Sequence, residues 1–265
     1  MERIVPPGLE RGADEPDLPE GYDESTLPFG VRAELRGLSK QLAGRVGGHL
    51  AAAAELVDLD PALALRHALV ARRLASRLPV VREAAAEAAY AAGEFGIALT
   101  EYRAIHRMTG NDDYLPVIAD CERAVGKPQA ALRTLREANH GRLSAEQRIE
   151  AILVEAGTRD DLGQRPEAQR LLKEAIEARR GGRRGQARLR FAYAELLHEA
   201  GQESAARDWF ASADAYDDQG ELEVSRRIAE LDGIEVPEGS DDGYDDEFEV
   251  VDVDVETDEA PEEEE

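Results

Sequence analysis

From residue 31 to residue 234 apolar residues recur at three- and four-residue spacing, the period of a helix that buries one stripe. Four segments carry the same pattern: AAYAAGEFGIALTEYRAI, IADCERAVGKPQAALRTLREA, GTRDDLGQRPEAQRLLKEAI and AELLHEAGQESAARDWFASA. Aligned on Gly93, Gly126, Gly163 and Gly201, they repeat at spacings of 33, 37 and 38 residues. Five residues after each glycine stands an alanine: Ala98, Ala131, Ala168 and Ala206. Nine after it stands a bulky apolar residue: Tyr102, Leu135, Leu172 and Phe210. Seven before it is another alanine: Ala86, Ala119, Ala156 and Ala194.

Each segment reads as two amphipathic helices joined at the glycine, which adopts the left-handed conformation that ends the first helix. Small alanines let the two helices approach closely, and the bulky residues fill the space to the next hairpin. A hairpin of this kind cannot bury its apolar face alone, so neighbours must stack. A fifth, degenerate unit precedes the four, with Ala52, Ala64 and Ala68 in register, Leu59 at the turn and Pro61 placed for a first helical turn. The longer spacings predict an extended helix or loop before the last two units. One extension starts at Ser144, where SAEQ offers a capping box of Ser144 and Gln147. Flanking helices are expected over VRAELRGLSKQLAGRV and ELEVSRRIAEL.

This arrangement resembles the tetratricopeptide repeat over about residues 45–216. Gly93, Phe95, Ala98 and Tyr102 match best, whereas Pro128 and Arg165 stand where Phe95 does. The resemblance implies an all-α, right-handed superhelix of about five hairpins with flanking helices, some twelve helices in all. It also implies a concave face lined by the first helix of each pair. That face would show His49 and Ala53; Glu83, Glu87 and Tyr90; Asp120 and Arg123; Leu153 and Asp160; then Arg188, Phe191, Glu195 and His198. Some members of the family clamp a peptide's C-terminal carboxylate with Lys and Asn on adjacent first helices. Here the matching positions hold Glu83 and Glu87, which would repel a carboxylate.

Charge divides the chain into three zones. The formal net charge is −25, yet residues 235–265 hold 17 acids and no Lys or Arg, and residues 1–30 hold eight acids against two arginines. Removing −17 and −6 leaves −2 for residues 31–234, so the helical array is nearly neutral. Residues 1–30, rich in Pro and acids, are expected to be a disordered lead-in, and residues 235–265 a disordered acidic tail. Within that tail, FEVVDVDVE alternates in the manner of a strand that pairs with a partner edge.

The neutral array carries one basic run, RRGGRRGQARLR, from Arg179 to Arg190. Arg179 and Arg180 suit the end of a helix, Gly181, Gly182 and Gly185 make a flexible linker, and Arg188 and Arg190 enter the next helix. Pairing of the run with Glu174, Glu177 or Glu195 is expected. Two other readings stay open: contact with RNA through Arg179, Arg180, Arg183 and Arg184, and attraction of the chain's own tail.

Candidate chemistry is sparse. His49, His67, His106, His140 and His198 are scattered without metal-ligand spacing, and no phosphate loop or nucleophile elbow occurs. The lone Cys121 lacks a partner motif and fits a reducing compartment. Neither cofactor nor metal is expected. The N-terminus has Pro and carboxylates where a signal peptide needs an apolar run, so a cytoplasmic location without membrane contact is expected. These readings converge on a non-catalytic scaffold that binds another protein through its concave face. The alternative is an RNA- or ribosome-associated factor using the basic run; DNA is not expected as a partner.

Overall fold

The structure, a computed structural model, describes residues 15–18, 24–138 and 141–234. The tail, His140 and most of the lead-in lie outside the described residues. Among those described there are twelve α-helices and no strand: α1 (Phe29–Leu35), α2 (Lys40–Leu56), α3 (Pro61–Ala75), α4 (Pro79–Ala91), α5 (Phe95–Thr109), α6 (Leu115–Ala124), α7 (Pro128–Glu137), α8 (Ala145–Asp161), α9 (Arg165–Glu177), α10 (Arg183–Glu199), α11 (Glu203–Asp214) and α12 (Val224–Leu231).

The helices pack in consecutive pairs: α2 with α3, α4 with α5, α6 with α7, α8 with α9 and α10 with α11. The turn chemistry explains four of the five. Gly93, Gly126, Gly163 and Gly201 have φ of 73–75°, the left-handed region that costs a side-chain-bearing residue free energy. In each case the next residue donates its N–H to the carbonyl five positions back, Gln164 to Arg159 for example, at 2.8–2.9 Å. This closes the first helix in a Schellman motif. The turn between α2 and α3 lacks glycine. There Asp60 caps α3, its Oδ1 accepting from the Leu63 N–H at 2.9 Å, with Pro61 at the first helical position.

All twelve alanine and bulky positions aligned on the four glycines are buried, so the sequence register is the packing register. The second helix of each pair meets the first helix of the next: α3 with α4, α5 with α6, α7 with α8, and α9 with α10. First helices also meet one another, α2 with α4, α6 with α8, and α8 with α10. The longer spacings lie where α8 and α10 run to 17 residues, against 13 in α4 and 10 in α6. Half of the expected capping box forms: Ser144 Oγ accepts from the Gln147 N–H at 3.1 Å, while the Ser144 N–H donates to Asp113 Oδ1 at 2.8 Å and not to the Gln147 side chain.

Buried carboxylates stitch neighbouring helices. Glu101 on α5, 1% exposed, meets Arg72 of α3 at 2.6 Å and Arg82 of α4 at 2.5 Å. Glu122 on α6, also buried, accepts from Arg103 of α5 at 2.5 Å and Thr134 of α7 at 2.7 Å. Charge-assisted bonds of this kind hold a carboxylate inside only while its partners stay in place.

Two departures from the expected elements have clear causes. The single N-terminal helix expected over 31–46 is two. The chain breaks between Leu35 and Lys40, and Ser39 takes an extended conformation ahead of α2. The break lets α1 fold back, so that Leu35 joins Val46 and Leu50 in one apolar cluster. The lead-in expected to be flexible is also packed in part: Leu27 is buried, and the Glu15 side chain is only 5% exposed.

Candidate functional site

A concavity of about 600 Å³ is lined by the first helices α4, α6, α8 and α10 together with the turn before α6. From α4 come Glu83, Glu87 and Tyr90, which a spacing of four and three residues places on one helical face. Asp120 enters from α6, Glu150 and Val154 from α8, and Arg188 from α10. Tyr102 of α5 and Tyr114 complete an aromatic wall, their ring centroids 6.1 Å apart.

Most polar groups here are held by the protein's own donors. Tyr90 Oη donates to Asp120 Oδ2 at 2.5 Å, and Arg123 Nε donates to Asp120 Oδ1 at 3.0 Å. Tyr114 Oη donates to Glu83 Oε1 at 2.7 Å, and Asp113 Oδ1 accepts from the Ser144 N–H at 2.8 Å. Arg188 forms an ion pair with Glu150, with Nη2 at 3.0 Å from Oε2. Among the described residues Glu87 alone of the lining carboxylates has no hydrogen-bond partner. Its carboxylate is open to solvent, but the surrounding walls strip water from it, and this, followed by the Glu83 charge, raises its pKa above the ordinary value. Desolvation, again with nearby carboxylates, raises the pKa of Tyr90, Tyr102 and Tyr114, so all three stay neutral donors.

The balance of charge is one-sided: five carboxylates (Glu83, Glu87, Asp113, Asp120 and Glu150) face one guanidinium, Arg188, and that one is already paired. A cation entering this space would meet tyrosine side chains and, at Glu87, a solvent-reached carboxylate with no hydrogen-bond partner among the described residues. Behind the wall, Cys121 is buried, and burial followed by the Asp120 charge pushes its pKa up to about 12, so the thiol is held in its un-nucleophilic form.

Five of the face residues expected from the sequence therefore meet here: Glu83, Glu87, Tyr90, Asp120 and Arg188. Arg123 stands behind Asp120 and reaches Asp161 at 3.3 Å. The others do not join them. Phe191 packs edge-on against Phe210 at 5.2 Å, in the cluster that receives Leu222 and Ile228. Glu195 accepts two bonds from Arg227 of α12, at 2.6 and 2.8 Å. His198 has a buried Nδ1 with no partner among the described residues. For Phe191 and Glu195 the cause is α12, which packs against the last helical pair. At the other end, His49 and Ala53 are buried instead of lining an open face. Asp160 is held by Arg165, and α8 presents Val154 rather than Leu153.

The basic run is largely consumed inside the fold. Helix α10 begins at Arg183, so Arg183 and Arg184 sit in its first turn and not in a linker. Cations there oppose the helix dipole, and acids from the segment before α12 offset them. Arg183 makes two bonds of 2.6 Å to Asp218, and Arg184 bonds Glu221 at 2.7 Å. Arg190 stacks over Tyr216 at 4.0 Å. Two of the three expected partners are engaged elsewhere, Glu174 with Arg170 and Glu195 with Arg227. Gly181 and Gly185 let the loop lie against Ile149, which a Cβ at either position would meet at 3.0 or 3.2 Å. Only Arg179 and Arg180 of the run have guanidiniums without a side-chain partner among the described residues.

Tyr114 and Glu150 were not on the expected face. The regular recurrence of Gln147, Glu150 and Val154 along α8 was the available signal for Glu150. Tyr114 lies in a 3₁₀ turn outside any helical period. Among the described residues no three His, Cys, Asp or Glu side chains are grouped to hold a metal, and no helix is long and apolar enough to cross a membrane. No protein-family model matches the chain, and no curated protein matches it.

Proposed function

We propose that this chain is a non-catalytic scaffold, a tetratricopeptide-like superhelix of five hairpins whose concave face binds a lysine- or arginine-bearing segment of another protein. The observation that carries the reading is the unpaired Glu87 in a concavity with five carboxylates and one guanidinium. A ligand cation compensates the partial desolvation of Glu87 and packs beside the tyrosines of the lining, two contributions of different chemical type that favour the same group. The contribution of α4, α6, α8 and α10 to one concavity supports a curved stack, since first helices that share a hollow must lie on its inner side. The volume, about 600 Å³, falls in the range of preformed binding clefts.

Panning a random peptide display library against the full chain tests this reading. Enrichment should favour peptides with Lys or Arg, and the E83Q/E87Q double variant should lose that preference. Enrichment of acidic or purely apolar peptides, or of the same basic peptides by both proteins, contradicts it. Tight RNA binding that falls steeply between 50 and 200 mM salt, and is lost with Arg179 and Arg180, would favour a nucleic-acid role instead.

A further inference from the structure

The first helical pair carries a second polar site, of opposite charge to the concavity. Arg45 and His49 of α2 and Arg73 of α3 converge on one carboxylate, that of Glu15, from the segment before any helix. Arg45 donates Nε at 3.0 Å and Nη2 at 2.6 Å to Oε1, and Arg73 donates Nη2 at 2.7 Å to Oε2. His49 Nε2 lies 3.3 Å from Oε1. The Glu15 side chain is 5% exposed as a result, although it belongs to no helix.

The receiving groups are set by the two helices and not by the segment they hold. His49 Nδ1 lies 3.0 Å from Nδ1 of His67 on α3, and both rings are buried. With His67 donating across that contact, His49 carries its proton on Nε2 and turns it toward the carboxylate. His49, Arg45 and Arg73 then present only donors, two of them permanently charged. Donors gathered in this way, one of them on a buried ring, require an anionic oxygen as occupant. The residues after Glu15 fill their surroundings less completely. Pro16 is half-buried and Leu18 is exposed, and a concavity of about 270 Å³ opens beside Glu15, Pro16, Leu18 and Arg45. Arg73, half-exposed, forms the outer wall through which a second carboxylate can enter.

We propose that Arg45, His49 and Arg73 form a receptor for a carboxylate-bearing segment of a partner protein, a site that this chain's own residues 15–18 fill in cis until that segment displaces them. Charge complementarity selects an acidic side chain, and the space beside Pro16 and Leu18 selects an apolar residue close to it in sequence. The receptor shares no lining residue with the acidic concavity, so it does not rest on the use proposed for that face. A tethered occupant competes at an effective concentration on the order of 1 mM. An acidic segment supplied in trans therefore binds the parent chain more weakly than a chain that lacks the Glu15 carboxylate.

Fluorescence anisotropy with full-length chains and the labelled peptide LERGADEPDLPE, a copy of residues 9–20, tests this. E15Q should bind the peptide at least about tenfold more tightly than the parent, with E15D between the two. A peptide carrying Gln at the position that copies Glu15 should bind E15Q at least about tenfold more weakly. R73Q added to E15Q should remove the gain. Saturating peptide on the parent should speed hydrogen exchange at Asp17 and Leu18 and leave α4 to α11 protected. E15D keeps the charge on a shorter arm, so its comparison with the parent decides the matter even if E15Q unfolds. Equal affinity of the parent and E15D, equal affinity for the Glu and Gln peptides, or a gain that survives R73Q each overturn the proposal. So does a concentration-dependent dimer of the parent that E15Q abolishes, which would assign the seat to the lead-in of a second copy.

Discussion

Replacing Gly163 by alanine isolates the cost of the turn that defines each helical pair. Its φ is +73° and a Cβ there would meet nothing within 4 Å, so conformation is the sole penalty. Holding an L-residue in the left-handed region costs about 1–2 kcal/mol, and the narrower unfolded ensemble of alanine returns part of the difference only where φ suits it. The expected loss is about 1 kcal/mol, which at a urea slope of about 2 kcal/mol/M lowers the midpoint by about 0.5 M. Gly181 provides the contrast: it has the same φ of +73°, but a Cβ would lie 3.0 Å from two atoms of Ile149. Ile149 is itself buried, so G181A adds an overpacking cost of about 1–3 kcal/mol. A D-alanine at 163, introduced by segment ligation, suits the backbone and should raise the midpoint. The assay is urea unfolding followed by circular dichroism, with the slope compared between variants because stacked pairs can uncouple. Equal losses for L- and D-alanine at 163, or a smaller loss for G181A than for G163A, would refute the reasoning.

Three further outcomes are expected. L172A, at a fully buried position in the α8–α10 cluster, should cost about 2–5 kcal/mol in urea unfolding. R227A should free α12 from Glu195, and limited proteolysis should then cut near Val224 while α2 to α11 persist; because both partners are about a quarter exposed, the stability loss should stay near 1 kcal/mol. E87Q should stabilise the chain at pH 7 and change nothing at pH 4. The raised pKa of Glu87 means that its ionised form is disfavoured by folding, a burden that appears as pH rises through the carboxylate range and that the amide removes.

What the sequence conveyed well was local. A Schellman turn is set by one glycine and its neighbours, and the alanines that admit a close partner helix keep fixed offsets from it. Periodicity alone therefore placed the buried register of four pairs. Interactions between distant segments left no such trace. Arg183 finds Asp218 and Arg184 finds Glu221 across 35 and 37 positions, which changed a basic linker into a helix start neutralised by the segment ahead of α12. The α12 contact took Phe191 and Glu195 out of the expected face, because the apolar side of the last pair needs a cover. Glu15 reached His49 from a segment with no periodicity at all. The Gly37–Ser39 break was signalled by its residue types, but the apolar pattern running through it concealed the stop.

The affinity of a basic peptide for the concavity tests the central claim most directly. Fluorescence anisotropy at 150 mM salt would compare a lysine-bearing peptide from the display selection on the parent chain, on E83Q/E87Q and on a chain with Arg179 and Arg180 neutralised. The account predicts at least a tenfold rise in Kd for E83Q/E87Q, about 1.4 kcal/mol, and no loss for the arginine variant. An unchanged Kd for E83Q/E87Q would contradict it.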